Sequence, residues 1–176
     1  MTRRIEELLT QIQATPGCRI KAPAGLPQIE APFRLPDDLR EFYQLCGGLT
    51  LAENTKYAIT IVSPGQCVPA NPVILGEVVA QLARSSDAED ISWSWYIIAD
   101  YGNGDYITIY LDPRRLGRCY DSSHETHGLR GETPIIALSF TDLLASLFQT
   151  RGQYWYWLQP DFVPFGDAYD ENIGGE

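Results

Sequence analysis

The chain has 176 residues, of which 44% are hydrophobic and 20% charged, the make-up of one soluble globular domain long enough to bury its own core. Its 13 Lys and Arg against 23 Asp and Glu leave a net charge of −10, which argues against direct nucleic-acid binding, because phosphate recognition needs a positive surface. The same excess would draw in a basic protein partner, although many proteins carry it for solubility alone.

No apolar run approaches the roughly 18–20 residues of a membrane span. Glu6 and Glu7 interrupt any signal-peptide pattern after the opening Met-Thr-Arg-Arg-Ile, so a cytoplasmic location is expected. Cys18, Cys46, Cys67 and Cys119 are far apart, with no C-x-x-C pair. They are expected as free thiols acting mostly as small core hydrophobes.

In chain order, Ile5, Leu8, Leu9 and Ile12 fall at helical spacing and predict an amphipathic helix over 3–14, ended by Thr15-Pro16-Gly17. The Pro- and Ala-rich stretch from Lys21 to Pro32 lacks periodicity. Residues 35–48 carry every local helix signal. Pro36 suits the first helical position, Asp37 and Asp38 suit the positive end of the dipole, and Leu39, Phe42, Tyr43 and Cys46 form one stripe. Gly47 or Gly48 then suits a left-handed C-terminal cap. Short strands are predicted at Leu49–Leu51 and Tyr57–Val62, and a loop at Val68–Pro72. Leu75, Val78, Val79 and Leu82 repeat at helical spacing, weakened by Gly76.

The run from Trp93 to Glu125 reads as a three-stranded meander. Tyr96–Ala99 is apolar, Asp100–Asp105 is dense in turn residues, and Tyr106–Leu111 alternates as a strand does. Asn103-Gly104 is the strongest short hairpin signal, since both residue types tolerate positive φ. A turn at Asp112-Pro113 leads to a third strand at Arg118-Cys119-Tyr120. Residues 122–133 read as loop and Pro134–Leu138 as a short strand. A last helix follows, capped by Ser139 with Asp142 three residues on, its buried face Phe140, Leu143, Leu144, Leu147 and Phe148.

From Tyr154 the composition changes: Tyr154-Trp155-Tyr156-Trp157 precede Asp161, Asp167, Asp170, Glu171 and Glu176. The expected division is a domain over 1–152 and an aromatic, acidic extension over 153–176. Trp95 and one of Trp155 and Trp157 are expected in the core, with the other tryptophans facing outward.

Catalytic templates fail on spacing. His124-Glu125-Thr126-His127 sets its histidines three apart, whereas the zinc-protease signature needs four to put both on one helical face. Asp100–Asp105 lacks the ligand positions of an EF-hand loop, and Gly102-Asn103-Gly104 lacks the third glycine and the helix of a dinucleotide site. Ser122 or Ser123 with His124 and Asp121 has no nucleophile elbow. No enzyme, metal or cofactor is indicated.

The order of these features resembles the SUKH superfamily, the Smi–Knr-like proteins. L-P-D-D-L-R-E-F-Y-Q-L-C-G-G (35–48) is similar to its signature helix. I-I-A-D-Y-G-N-G-D-Y-I-T-I-Y-L-D (97–112), with G-R-C-Y-D (117–121) and H-E (124–125), resembles its core, and the final S-F-x-x-L-L segment follows. The resemblance implies a single α+β domain, a central mostly antiparallel sheet packed against several helices, and no catalytic residues. It also implies an immunity protein that neutralises a secreted toxin, such as a nuclease or deaminase, by stoichiometric binding; an intracellular scaffold or regulator is the alternative. Candidate partner-binding residues are Trp93, Asp100, Asp105, Asp112, Asp121, His124 and Glu125, at the ends of the meander.

Overall fold

The computed structural model describes residues 2–173; Glu176 of the acidic tail lies outside them. The helices are α1 (Thr2–Gln13), α2 (Asp37–Leu45), α3 (Ala70–Leu75), α4 (Glu77–Ser86) and α5 (Phe140–Gln149). The strands are β1 (Arg19–Ile20), β2 (Leu49–Leu51), β3 (Ile59–Ile61), β4 (Trp95–Gly102), β5 (Asp105–Tyr110), β6 (Cys119–Ser122) and β7 (Ile135–Ala137). They form one antiparallel sheet whose spatial order follows the chain from β1 to β7. This is the α+β domain that the motif order implies: sequential strands are neighbours, with α2 in the connection from β1 to β2 and α3 and α4 in that from β3 to β4.

The centre of the sheet is the meander. Asn103 and Gly104 take φ of 59° and 81°, and Gly102 pairs with Asp105 across that two-residue turn. Positive φ at both turn positions matches the twist of the flanking strands, which is why Asn-Gly sits here. β5 and β6 bury consecutive residues rather than alternate ones, because both faces of the sheet are covered. On one face Trp95 lies 4.7 Å from Tyr120 and 5.4 Å from His127, and Tyr110 meets Tyr120 at 6.4 Å. Asn71 of α3 reaches that face, where its Oδ1 lies 2.7 Å from His127 Nε2. Cys119, one residue before Tyr120, turns the other way, toward Ser139 at the start of α5.

The helical layer joins residues far apart in sequence. Ile5 and Ile12 of α1, Leu39 and Phe42 of α2, and Leu143 and Leu144 of α5 are all buried, and Phe42 meets Phe140 edge-on at 4.9 Å. Ser139 caps α5 as expected, its hydroxyl accepting from the Asp142 N–H at 3.1 Å. A second cap comes from α2: the buried Asp38 carboxylate accepts from the Thr141 N–H at 2.8 Å and the Thr141 hydroxyl at 3.0 Å. The two helix starts are therefore locked together by one side chain.

Several local expectations need correction. Pro36 precedes the first helical residue rather than occupying it, and its carbonyl accepts from the Arg40 N–H at 2.9 Å. α2 ends with Cys46 in extended backbone, so Gly47-Gly48 is not its left-handed cap. The pair is there for close approach. A Cβ on Gly47 would stand 2.3 Å from the Ala22 carbonyl oxygen, and one on Gly48 2.7 Å from that of Ile61. The stretch Val68–Pro72 is not all loop, because α3 begins at Ala70 with Pro69 before it and Pro72 in its first turn, where a missing N–H is harmless.

The polypeptide after Gly152 returns to the domain. Trp157 and Ala168 are buried, and Trp155 stacks on Trp157 at 6.1 Å while meeting Tyr57 and Tyr101 edge-on. Trp95 is buried as expected, while Trp155 and Trp93 are half-buried rather than facing outward. Further on, the Phe165 N–H donates to the Ile135 carbonyl at 3.1 Å, and the Ile135 N–H to the Gly166 carbonyl at 2.8 Å.

Candidate functional site: the acidic end of the meander

The β5–β6 register sets Tyr106 opposite Ser122 and so carries the chain after β6 back to the start of β5. Asp105 and His124 meet there although 19 residues separate them. One Asp105 oxygen accepts from the His124 backbone N–H at 2.9 Å and lies 2.7 Å from its ring Nδ1. That hydrogen bond, and then the carboxylate charge, hold the His124 pKa above its ordinary value. Asp100 lies across the same hairpin, paired with Tyr106, and its carboxylate accepts from the Gly102 N–H at 2.9 Å. Asp100, His124 and Glu125 are exposed and Asp105 half-exposed; Asp105 and Glu125 act on the His124 imidazole, while Asp100 lies beside Tyr106 across the hairpin.

Of the other candidates, Asp121 lies beneath that group, where the Asp105 charge acts on it, and Asp112 and Trp93 lie apart from it. Asp121 is buried, its carboxylate accepting from the Tyr101 hydroxyl at 2.5 Å. Burial raises its pKa against the opposing pull of that hydrogen bond. Asp112 and Trp93 sit at the far end of β4 and β5, since Trp95 pairs with Tyr110. Asp112 caps the turn that follows, accepting from the Arg114 N–H and Nε, both at 2.9 Å. Trp93 donates from Nε1 to the Asp87 carbonyl at 3.0 Å.

Sequence reading missed the floor beneath the hairpin. Tyr101 lies 5.0 Å from Trp155 and 5.3 Å from Trp157, so the tail's aromatics brace the strand whose end carries Asp100. No local signal could have found it, because the contact joins Tyr101 to tryptophans more than fifty residues later.

The chemistry of this end is electrostatic. His124 faces Asp105, while His127 is buried against Asn71 and its pKa is pushed down to about 4 by desolvation. The Ser122 hydroxyl is turned to Thr108 at 2.7 Å, away from either imidazole. Among the described residues, no three His, Cys, Asp or Glu side chains gather as a metal site, and no helix is long and apolar enough to cross a membrane. A cavity of about 430 Å³ lies between the starts of α2 and α5, lined by Arg4, Arg34 and Arg40. Asp38 already provides the negative charge at those helix ends.

The model of the SMI1 / KNR4 family (SUKH-1) matches residues 28–146, more than half of the chain. The chain belongs to the SMI1/KNR4 family. In this SMI1/KNR4 chain the matched span runs from the segment before α2 into α5, so it includes the whole meander. The chain is also 46% identical over 166 residues to the immunity protein YokJ of Bacillus subtilis (strain 168), covering 94% of this chain and 96% of that protein. That alignment extends past the family match at both ends. No solved structure matches significantly.

Proposed function

We propose that this chain is an immunity protein that acts in the cytoplasm, binding a cognate toxin one to one and blocking it without a catalytic step. The observation that carries this reading is the 46% identity, across nearly the whole of both chains, to a protein named as an immunity protein. The net charge of −10 supports a basic partner, such as a toxin whose substrate cleft is positively charged.

The surface proposed to steer that partner is the hairpin end, which carries Asp100 beside the turn and Asp105 and Glu125 beside His124. Asp121 supports it from beneath, and Asp112 and Trp93 belong to the opposite end of the meander.

The test is co-expression with candidate toxin domains taken from neighbouring genes, in cells that such a domain kills. Protection and a one-to-one complex by calorimetry are expected. Association should slow steeply between about 0.01 M and 0.15 M salt, as the Debye length falls from ~30 Å to ~8 Å. Undiminished killing with no complex would refute the immunity reading. A tight complex whose association ignores salt would refute the electrostatic part alone.

A further inference from the structure

Helix α4 is built inside out. Its buried position is Ala80, 3% exposed, whereas Val78, Val79 and Leu82 are 71%, 53% and 65% exposed. At about 100° per residue these three lie within ~100° of arc, so they form one ridge. Apolar burial dominates folding and would turn the larger side chains inward, yet the helix holds the smallest there.

Other contacts fix this orientation. Gly76, at φ 81°, separates α3 from α4 and lets the chain change direction between them. At the C-terminal end, the Arg84 guanidinium lies 5.2 Å from the Trp93 ring centroid, and Trp93 Nε1 holds the Asp87 carbonyl. A helix tied at its end, carrying aliphatic anchors one turn apart, has the form of a helix that seats in a partner's groove.

Charge decides what that partner is. Glu77 opens the helix and Asp87 and Glu89 follow it, all three exposed, while Arg84 is engaged by Trp93. A second copy of this chain would bring the same acidic rim and a net charge of −10 against itself. We propose that the α4 ridge is the apolar anchor of the toxin complex, seated in an apolar groove of the toxin bordered by Lys or Arg. This rests on the immunity reading and adds to it a contact surface distinct from the hairpin end. Arg84 ties the helix to Trp93, which precedes β4, whereas the hairpin end follows Gly102 at the other end of that strand.

The experiment measures binding of the purified toxin domain to the full chain, to Val78→Asp/Leu82→Asp, and to the milder Val78→Ala/Leu82→Ala. Both variants should melt close to the wild type because these positions are exposed. The Asp pair should bind about 100-fold more weakly and the Ala pair about 10-fold, chiefly through faster dissociation. Glu77→Lys/Glu89→Lys should slow association about 10-fold at low salt. Wild-type affinity in both ridge variants would overturn the proposal while leaving the immunity reading intact. Failure of the wild type itself to bind would remove both. Sedimentation showing a wild-type dimer that the Asp pair dissociates would overturn it in favour of a second copy.

Discussion

Asp38→Ala should destabilise the fold by about 3 kcal/mol, because one substitution orphans three donors that share a buried carboxylate. Its Oδ2 accepts from the Thr141 N–H at 2.8 Å and hydroxyl at 3.0 Å, and its Oδ1 from the Leu39 N–H at 2.9 Å. Loss of a helix cap alone costs about 0.5–2 kcal/mol. Hydrogen bonds to a charged group contribute about 1.5–3 kcal/mol each, with only part of the sum realised when water enters. At about 2–4 °C per kcal/mol for a chain of this size, the melting temperature should fall by roughly 6–12 °C. Urea unfolding followed by tryptophan fluorescence measures it, with Thr141→Val, expected at about 1 kcal/mol, isolating the hydroxyl arm. Asp37→Ala is the control: its side chain is exposed in the same helical turn, and its removal should cost less than about 1 kcal/mol. Equal losses for the two aspartates would show that Asp38 acts only through the dipole of its own helix, and the inter-helix cap would be wrong.

Gly47→Ala should cost more than about 3 kcal/mol or prevent folding, because its Cβ would meet a backbone oxygen at 2.3 Å. Gly17→Ala, at φ 78° in open space, should cost only about 1–2 kcal/mol; soluble yield and denaturant midpoints separate them. His127, with its pKa near 4, binds a proton more readily unfolded than folded. Stability should therefore fall as pH drops from about 6.5 toward 4, by up to about 3 kcal/mol. His127→Gln should flatten that slope in urea titrations. Asp105→Asn should lower the His124 titration midpoint seen by NMR, since the Asp105 hydrogen bond is the largest cause of its upward shift. An unmoved midpoint would assign that shift to some other neighbour.

The elements legible in the sequence are those whose signals are local. The Asn103-Gly104 turn, the α2 stripe and the Ser139 cap each need only residues within one or two turns. β1 was illegible because a two-residue strand has no period, and exists only through pairing with Leu49 and Thr50. The α3 start was hidden by Pro69 and Pro72, residues that read as breakers but are tolerated at a helix start. At the site, Asp105 and His124 could be nominated separately, yet their contact depends on the β5–β6 register. The outward turn of α4 could not be read from Leu75, Val78, Val79 and Leu82. Their spacing predicts a helix and says nothing about which side faces water.

The hydrogen bonds of Phe165 and Gly166 to Ile135 bear on what happens at the rim of the sheet. A strand with free N–H and C=O groups is a template on which another chain can pair and propagate. β7 would be such a template, three apolar residues long and last in the order, had the tail not occupied its open side. The opposite rim ends in β1, too short to guide a newcomer. Both rims of the sheet are therefore kept from recruiting copies of the same chain. Cutting the chain after Gly152 would remove more than an acidic appendage, because it would uncover the one rim long enough to start aggregation.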